Sequence, residues 1–327
     1  MTITFSRHYY LEKFSRLHTD KNRTRWTAVT THRAPHKPLL LLAVLDLFAQ
    51  GSLTTNLIEL SPELGELFTT YWHTVRPPSQ RGILTYPFYY LQSDGFWHLQ
   101  PRLGQEAALA VYRPNAGLSA LHALVLGARL DDALFDLLQT ADGRSALRHV
   151  LVTTYFAPEL HEPLLRQTEV NVAAFVYSES LLAHARREQK QVKETAVAEP
   201  VRDQGFRRAI VQAYDHRCAI CGVRILTADG HTAVAAAHII PWSESHNDDP
   251  RNGLALCHLC HWTFDEGLLS LSDSYLVNVS PQLPAAANLP GHLLTCNGRQ
   301  LLGPAEASLW PFLDSVRWHR RHRFRAR

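Results

Sequence analysis

Residues 235–267 read AAAHIIPWSESHNDDPRNGLALCHLCHWTFDEG. Thr232 to Ile240 predicts a strand with His238 near its end. Pro241 stops it, because proline has no N–H for a sheet ladder. Ser243 to Arg251 is a polar loop, in which Asn247, Asp248 and Asp249 are turn formers. Asn252-Gly253 follows, then a short predicted strand, Leu254 to Leu256. His261 stands at the start of a predicted helix running through Leu268.

Outward from this stretch, the chain has five cysteines. Four form two pairs, Cys218-Ala-Ile-Cys221 and Cys257-His-Leu-Cys260, with 35 residues between the pairs. A Cys-x-x-Cys turn presents two thiolates to one tetrahedral metal, and two such turns complete a four-cysteine zinc site. Gly222 permits the tight turn after the first pair. Where thiols stay reduced, zinc is favoured over two disulfides, and four buried thiols are the alternative. Cys296 reads as a lone buried thiol, and His258 as an exposed residue inside the second knuckle.

A histidine at a strand end, an asparagine in a loop and a histidine on a helix, framed by paired Cys-x-x-Cys turns, resemble the HNH endonuclease motif. That motif belongs to the ββα-metal nuclease fold with a zinc knuckle. The resemblance implies hydrolysis of DNA phosphodiester bonds with His238, Asn252 and His261 as catalytic residues. A neutral imidazole takes a proton from water near pH 7, which suits His238 as general base. Its other ring nitrogen needs a partner, and Asn252 is the expected one. His261 matches the family position that binds a catalytic divalent cation, Mg2+ or Mn2+. Asp265, one helical turn on, is a second candidate ligand; the alternative is a carboxylate bonded to loop backbone or arginine. Many relatives carry Asp just before the first histidine, whereas this chain has Ala237.

Nearer the N-terminus, RAPHKPLLLL (33–42) places a basic loop before a buried helix, Leu39 to Gln50, which Gly51 closes. Tyr86 to Leu91 and Gly95 to Leu99 predict two aromatic strands joined by a turn at Ser93-Asp94-Gly95. Asp131 to Gln139 and Ser145 to Phe156 show helical spacing of apolar residues. RAPHKPLLLL, YPFYYLQSDGFWHL (86–99) and LRHVLVTTYFAPELHEPLL (147–165) together resemble the sulfur-binding domain of phosphorothioate-dependent restriction endonucleases. WHRRHRF (318–324) resembles the closing helix of the attached HNH module. The resemblance implies a small apolar pocket lined by Tyr86 and Pro87 that accepts sulfur. It further implies that Arg33, His36, Lys37 and Arg81 grip neighbouring phosphates, with Tyr89-Tyr90 narrowing the pocket. Ordinary core aromatics and a solvated basic loop are the alternatives.

With 327 residues and 46% apolar content, the chain is long enough for about two ordinary cores. A disordered or fibrous chain is excluded. The longest apolar run, Leu39 to Leu45, is too short to span a bilayer, and Met1 to Tyr10 lacks a signal-peptide layout. A cytoplasmic location is therefore expected. Net charge is +3, yet residues 1–38 and 317–327 carry +6 each, leaving −9 between them. Basic ends on an acidic body suit a polyanionic partner. Arginine outnumbers lysine 28 to 5, which suits phosphate but also a GC-rich coding sequence.

The expected fold class is α+β. A helix-rich DNA-recognition domain over 1–180 is followed by a helix end and linker over 181–205 and an HNH module over 206–327. A closing helix is predicted over Pro311 to Arg325, with Phe312, Trp318 and Phe324 packing inward. The expected function is a modification-dependent endonuclease acting on double-stranded, phosphorothioated DNA, with a homodimer as one route to double-strand breaks. Two readings stay open: an HNH nuclease reading another DNA modification, and a non-catalytic zinc DNA-binding protein.

Overall fold

The structure, a computed structural model, describes residues 2–75, 82–187, 197–227, 230–283 and 292–326. The chain divides into two compact units, Met1–Val172 with Thr227–His231, and Ala173–Leu226 with Thr232–Arg327. Each has its own apolar core. The architecture is the expected helix-rich α+β one, with three small two-stranded sheets among the described residues.

The first unit contains α1 (Thr2–Ser15), α2 (His36–Ala49), α3 (Pro62–Val75), α4 (Thr85–Tyr90), β1 (Trp97–Pro101), α5 (Glu106–Val111), α6 (Leu118–Leu124), β2 (Val125–Leu130), α7 (Asp132–Gln139) and α8 (Ala141–Tyr155). The long α9 (His161–Arg186) begins there. HKPLLLLAVLDLFA is apolar all round, so α2 becomes the central helix, buried from Lys37 to Phe48 and packed by α3, α4, α7 and α8. Gly51, at φ +71°, lets the chain turn back, with Ser52 N donating to Leu47 O and Gly51 N to Phe48 O. Asp46 is the one acid in α2; burial pushes its carboxyl up to about 6, opposed chiefly by Arg148. Tyr71, Asn171 and Arg148 donate to it at 2.7–2.8 Å, so no oxygen is stranded.

The predicted hairpin over 86–99 is absent. Thr85–Tyr90 is helical and continues as a 3-10 turn through Asp94; β1 pairs antiparallel with β2 instead. Aromatic content favours a strand, but Leu84, Phe88 and Leu91 recur at helical spacing and are buried. Pro87 lies in the first turn, where no helical N–H is required.

The second unit holds the rest of α9, then α10 (Glu199–Ala213), β3 (Val234–His238), α11 (Trp242–Ser245), β4 (Gly253–Cys257), α12 (His258–Asp265), β5 (Leu269–Leu271), β6 (Val277–Val279) and α13 (Leu313–His322). Helix α10 occupies positions the sequence suggests as the end of a linker, with Pro200 in its first turn and Phe206, Ala209 and Ile210 buried. β3 and β4 pair antiparallel with His238 opposite Gly253, and α12 follows directly, giving the ββα order. Gly253 is needed for close approach: a Cβ there would strike Ile210 and Phe206 of α10. On α13 the buried residues are Ser315, Val316 and His319. The expected inward aromatics Phe312, Trp318 and Phe324 are only half-buried, because a ten-residue helix facing β5 turns just this one stripe inward.

Candidate active site and DNA-recognition cavity

The two Cys-x-x-Cys turns meet. Cys218 follows α10, Cys257 ends β4 and Cys260 lies in the first turn of α12. Gly222, at φ +81°, donates its N–H back to Cys218 O and closes the first turn. The four sulfurs lie within 4.8 Å of one another. A tetrahedron with metal–sulfur bonds of about 2.3 Å has edges of about 3.8 Å. Cys221 Sγ and Cys257 Sγ are 3.7 Å apart, so the set fits such an ion. Hydrogen bonds among the four thiols pull Cys218 down and push Cys221 and Cys260 up, as expected of thiols sharing protons within one cluster. Cys296 is buried outside this cluster.

His238 ends β3, its ring stacked on Phe206 at 3.8 Å between centroids. The expected partner, Asn252, is not the one found. His238 Nε2 meets Asp248 Oδ1 at 2.8 Å, and Tyr177 Oη donates to Asp248 Oδ2 at 2.9 Å. Asp248 is 1% exposed. Asn252 pins the loop instead: its Oδ1 accepts from Ile240 N, and its Nδ2 donates to Ile240 O and Asn247 O. Its buried amide bonds backbone groups, and the imidazole pairs with Asp248 instead. The sequence reading missed Asp248 by treating Asp248-Asp249 as turn formers. Asn247 and Asp249 do form turns: Asn247 Oδ1 accepts from Asp249 N, and Asp249 caps the turn at Arg251 N and pairs with the Arg251 guanidinium.

His238, Trp242, Asp265, His319 and Arg323 line a cavity of about 310 Å3. His261 stands next to Asp265, Nε2 to Oδ2 at 3.4 Å, as the i,i+4 spacing suggests. Ala237, just before His238, is 1% exposed and lies in the core of the second unit. Among the described residues, the four cysteines are the one group of three or more candidate metal ligands, so His261 and Asp265 form a pair of donors. His319 is structural: burial lowers its pKa to about 4, and the neutral ring bridges Ser270 Oγ and Phe264 O.

In the first unit, His36, Lys37, Tyr86 and Pro87 line one cavity of about 900 Å3. Arg16, Lys21, Arg25, Trp26 and Tyr90 line it too, and the sequence reading missed the first four because no motif carries them. Three expectations change. Lys37 is a buried helical residue, its Nζ 2.6 Å from Asp94 Oδ2 and 3.1 Å from Ser93 Oγ, and burial lowers its pKa. Arg33 is not among the lining residues and lies over the Tyr155 ring at 5.6 Å. Tyr89 turns toward Tyr112, at 5.3 Å between centroids, so only Tyr90 of the pair lines the cavity. Arg81 lies outside the described residues. His36 sits between Trp26 and Trp72, at 5.5 and 4.6 Å between centroids.

A ββα unit with histidines at the strand end and on the helix, beside four clustered cysteines, defines a nuclease-type module joined to a helical domain with a basic, aromatic cavity. Residues 218–272 match the family model described as HNH endonuclease, and residues 10–172 match that of the ScoMcrA-like DNA sulfur-binding domain. The chain thus carries a DNA sulfur-binding domain followed by an HNH endonuclease domain. A solved structure titled "Modification dependent TagI restriction endonuclease" is 29% identical over 38% of this chain and 39% of that one, with a TM-score of 0.28. The chain therefore spans about two fifths of that endonuclease's length. No curated protein matches the chain.

Proposed function

We propose that this protein is a modification-dependent endonuclease. Its first unit binds phosphorothioated double-stranded DNA and its second hydrolyses phosphodiester bonds, in the cytoplasm. The observation that carries the catalytic half is the buried Asp248 carboxylate bonded to His238 at the mouth of a cavity shared with Asp265 and Arg323.

An ionised carboxylate accepts hydrogen bonds, so Asp248 holds the imidazole proton on Nε2 and leaves the Nδ1 lone pair as base. Nδ1 takes a proton from water as that water attacks phosphorus and the 3′-oxygen departs. Stacking on Phe206 and the Asn252 pins hold the ring in place. Arg323, paired with Glu244 at 2.8 Å, supplies a cation beside the reacting phosphate. His261 and Asp265 would hold a divalent cation, Mg2+ or Mn2+, which would supply charge stabilisation to the phosphate. With one carboxylate oxygen and one imidazole nitrogen from the protein, water and the phosphate would complete the coordination shell. Zinc at Cys218, Cys221, Cys257 and Cys260 ties the strand, helix and preceding turn together. One centre per chain cuts one strand, so a double-strand break takes two chains or two events.

On the recognition side, Tyr86 and Pro87 offer apolar surface to a sulfur atom that is larger and less hydrated than oxygen. Arg16, Lys21 and Arg25 line the cavity and replace Arg33, which does not, and Lys37, whose charge is paired with buried Asp94; among the described residues Arg16 meets only the exposed Glu12 carboxylate. The test is digestion of matched plasmids with and without phosphorothioate linkages, in Mg2+ or Mn2+, by native protein and His238→Ala. Cleavage confined to the modified plasmid and lost in the variant is expected. Equal cleavage of both plasmids overturns the modification dependence, and full activity of His238→Ala overturns the catalytic assignment.

A further inference from the structure

Tyr177 of α9, Gly205 and Phe206 of α10, His238 and Asp248 all lie in the second unit. The buried Tyr177 hydroxyl donates to Asp248 Oδ2 at 2.9 Å, and Asp248 Oδ1 meets His238 Nε2 at 2.8 Å. Side chains from a helix, a loop and a strand end thus form one hydrogen-bonded chain. A carboxylate held through one oxygen alone can still turn about its Cβ–Cγ bond. The hydroxyl on the second oxygen stops that turn, and a bond to an ionised acceptor is strong and directional.

Helix α10 seats both ends of this chain. Gly205 stands in the interior of that helix, where glycine is less favourable than alanine. A Cβ at Gly205 would lie 2.8 Å from the Tyr177 ring carbon Cδ1 and 2.9 Å from Ala174 O, closer than packed side chains come. The missing side chain is what lets Tyr177 approach. The next residue, Phe206, stacks on the His238 ring at 3.8 Å between centroids. Two consecutive residues of α10 therefore set the tyrosine and the imidazole at either end of Asp248.

We infer that Tyr177 is a positioning residue of the nuclease centre. By holding the Asp248 carboxylate in one orientation it fixes the direction in which His238 presents Nδ1, and Gly205 is the space that admits it. The inference rests on the proposed role of His238 as base. Outer partners of this kind typically set the rate of a group they do not themselves touch the substrate to serve.

The experiment is plasmid nicking by the full chain in Mg2+ or Mn2+, with kcat and KM measured across pH and folding checked by thermal unfolding. Tyr177→Phe keeps the ring and removes only the donor. It should lower kcat about 3- to 10-fold with KM nearly unchanged. It should also move the acid limb of the kcat profile up by about half a pH unit, because a carboxylate relieved of one donor holds the imidazole proton more tightly. A purely structural tyrosine would leave that limb in place. Gly205→Ala should reproduce the fall in kcat by displacing the ring. In an Asp248→Ala background the hydroxyl has no carboxylate to orient, so Tyr177→Phe should change kcat by less than about twofold. If Asp248→Ala does not fold, the acid limb of Tyr177→Phe decides. Wild-type kcat in Tyr177→Phe or in Gly205→Ala overturns the inference, as does an equal fall with and without the Asp248 carboxylate. Loss of cleavage in His238→Ala with no effect of Tyr177→Phe overturns the positioning role and leaves the proposed base standing. Full activity of His238→Ala overturns the base, and the positioning role with it.

Discussion

Asp248 and Asp249 are chemically identical neighbours with opposite duties. Asp249 pairs with Arg251 and caps a turn, whereas Asp248 turns inward to His238 and Tyr177. On the proposed mechanism, replacing His238 by Ala removes the base without touching the cysteines, and at least about a 100-fold loss of cleavage rate is expected with DNA binding retained. Asp248→Asn keeps the shape but no longer fixes which ring nitrogen carries the proton. A fall of about 10- to 100-fold in kcat, with KM nearly unchanged, is expected from quantitative nicking kinetics. Wild-type kcat in that variant would remove Asp248 from the mechanism. The place of His238 at a strand end was legible in the sequence. Its partner was not, because two adjacent acids in a polar loop, both buried in the fold, give no clue to which one meets the imidazole.

Helix α4 shows how an element is decided by what lies beneath it. TYPFYY has strand-forming composition, yet the buried residues Leu84, Phe88 and Leu91 fit a helix, and the exposed pair Tyr86 and Tyr90 shares its other face. Helix α13 offers a test of packing at the nuclease end. His319 sits against β5 and α12, stacked on Phe264 at 3.7 Å between centroids, and burial holds it neutral with a pKa of about 4. The ordinary histidine value is about 6.5. Above pH 6.5 folded and unfolded chains both carry the neutral ring, so its contribution is fully present. As pH falls from 6.5 toward 4 the unfolded chain takes the proton first, and about 3 kcal/mol of stability is lost. Urea unfolding of native protein and His319→Gln across that window measures the difference. The variant should be less stable at pH 7 and should lose less on acidification, while any acid sensitivity of the cysteine cluster is common to both. Parallel losses would show that His319 does not carry the effect.

Two separate cores mean two separately held units. The four cysteines join the end of α10, the end of β4 and the start of α12, all within the second. Zinc held there, as proposed, would contribute folding energy on the order of 10 kcal/mol. Cys218→Ser, or a strong chelator, should therefore lower the melting transition of the second unit by tens of degrees and leave that of the first in place. Calorimetry with elemental analysis checks this: absence of zinc from native protein, or full stability of the variant, would contradict it. Among the described residues, no helix is long and apolar enough to cross a membrane. Features closed within a few residues could be read directly from the chain. The Cys-x-x-Cys turns, the strand-end and helix-start histidines, the all-apolar central helix and its glycine stop were of this kind, since local spacing dictates their geometry. Pairings across long separations could not. Lys37 meets Asp94 57 residues away, and Tyr177 meets Asp248 71 residues away. Whether a charge stays available for DNA or is spent on a buried partner depends on which distant segments pack together, and no local pattern encodes that.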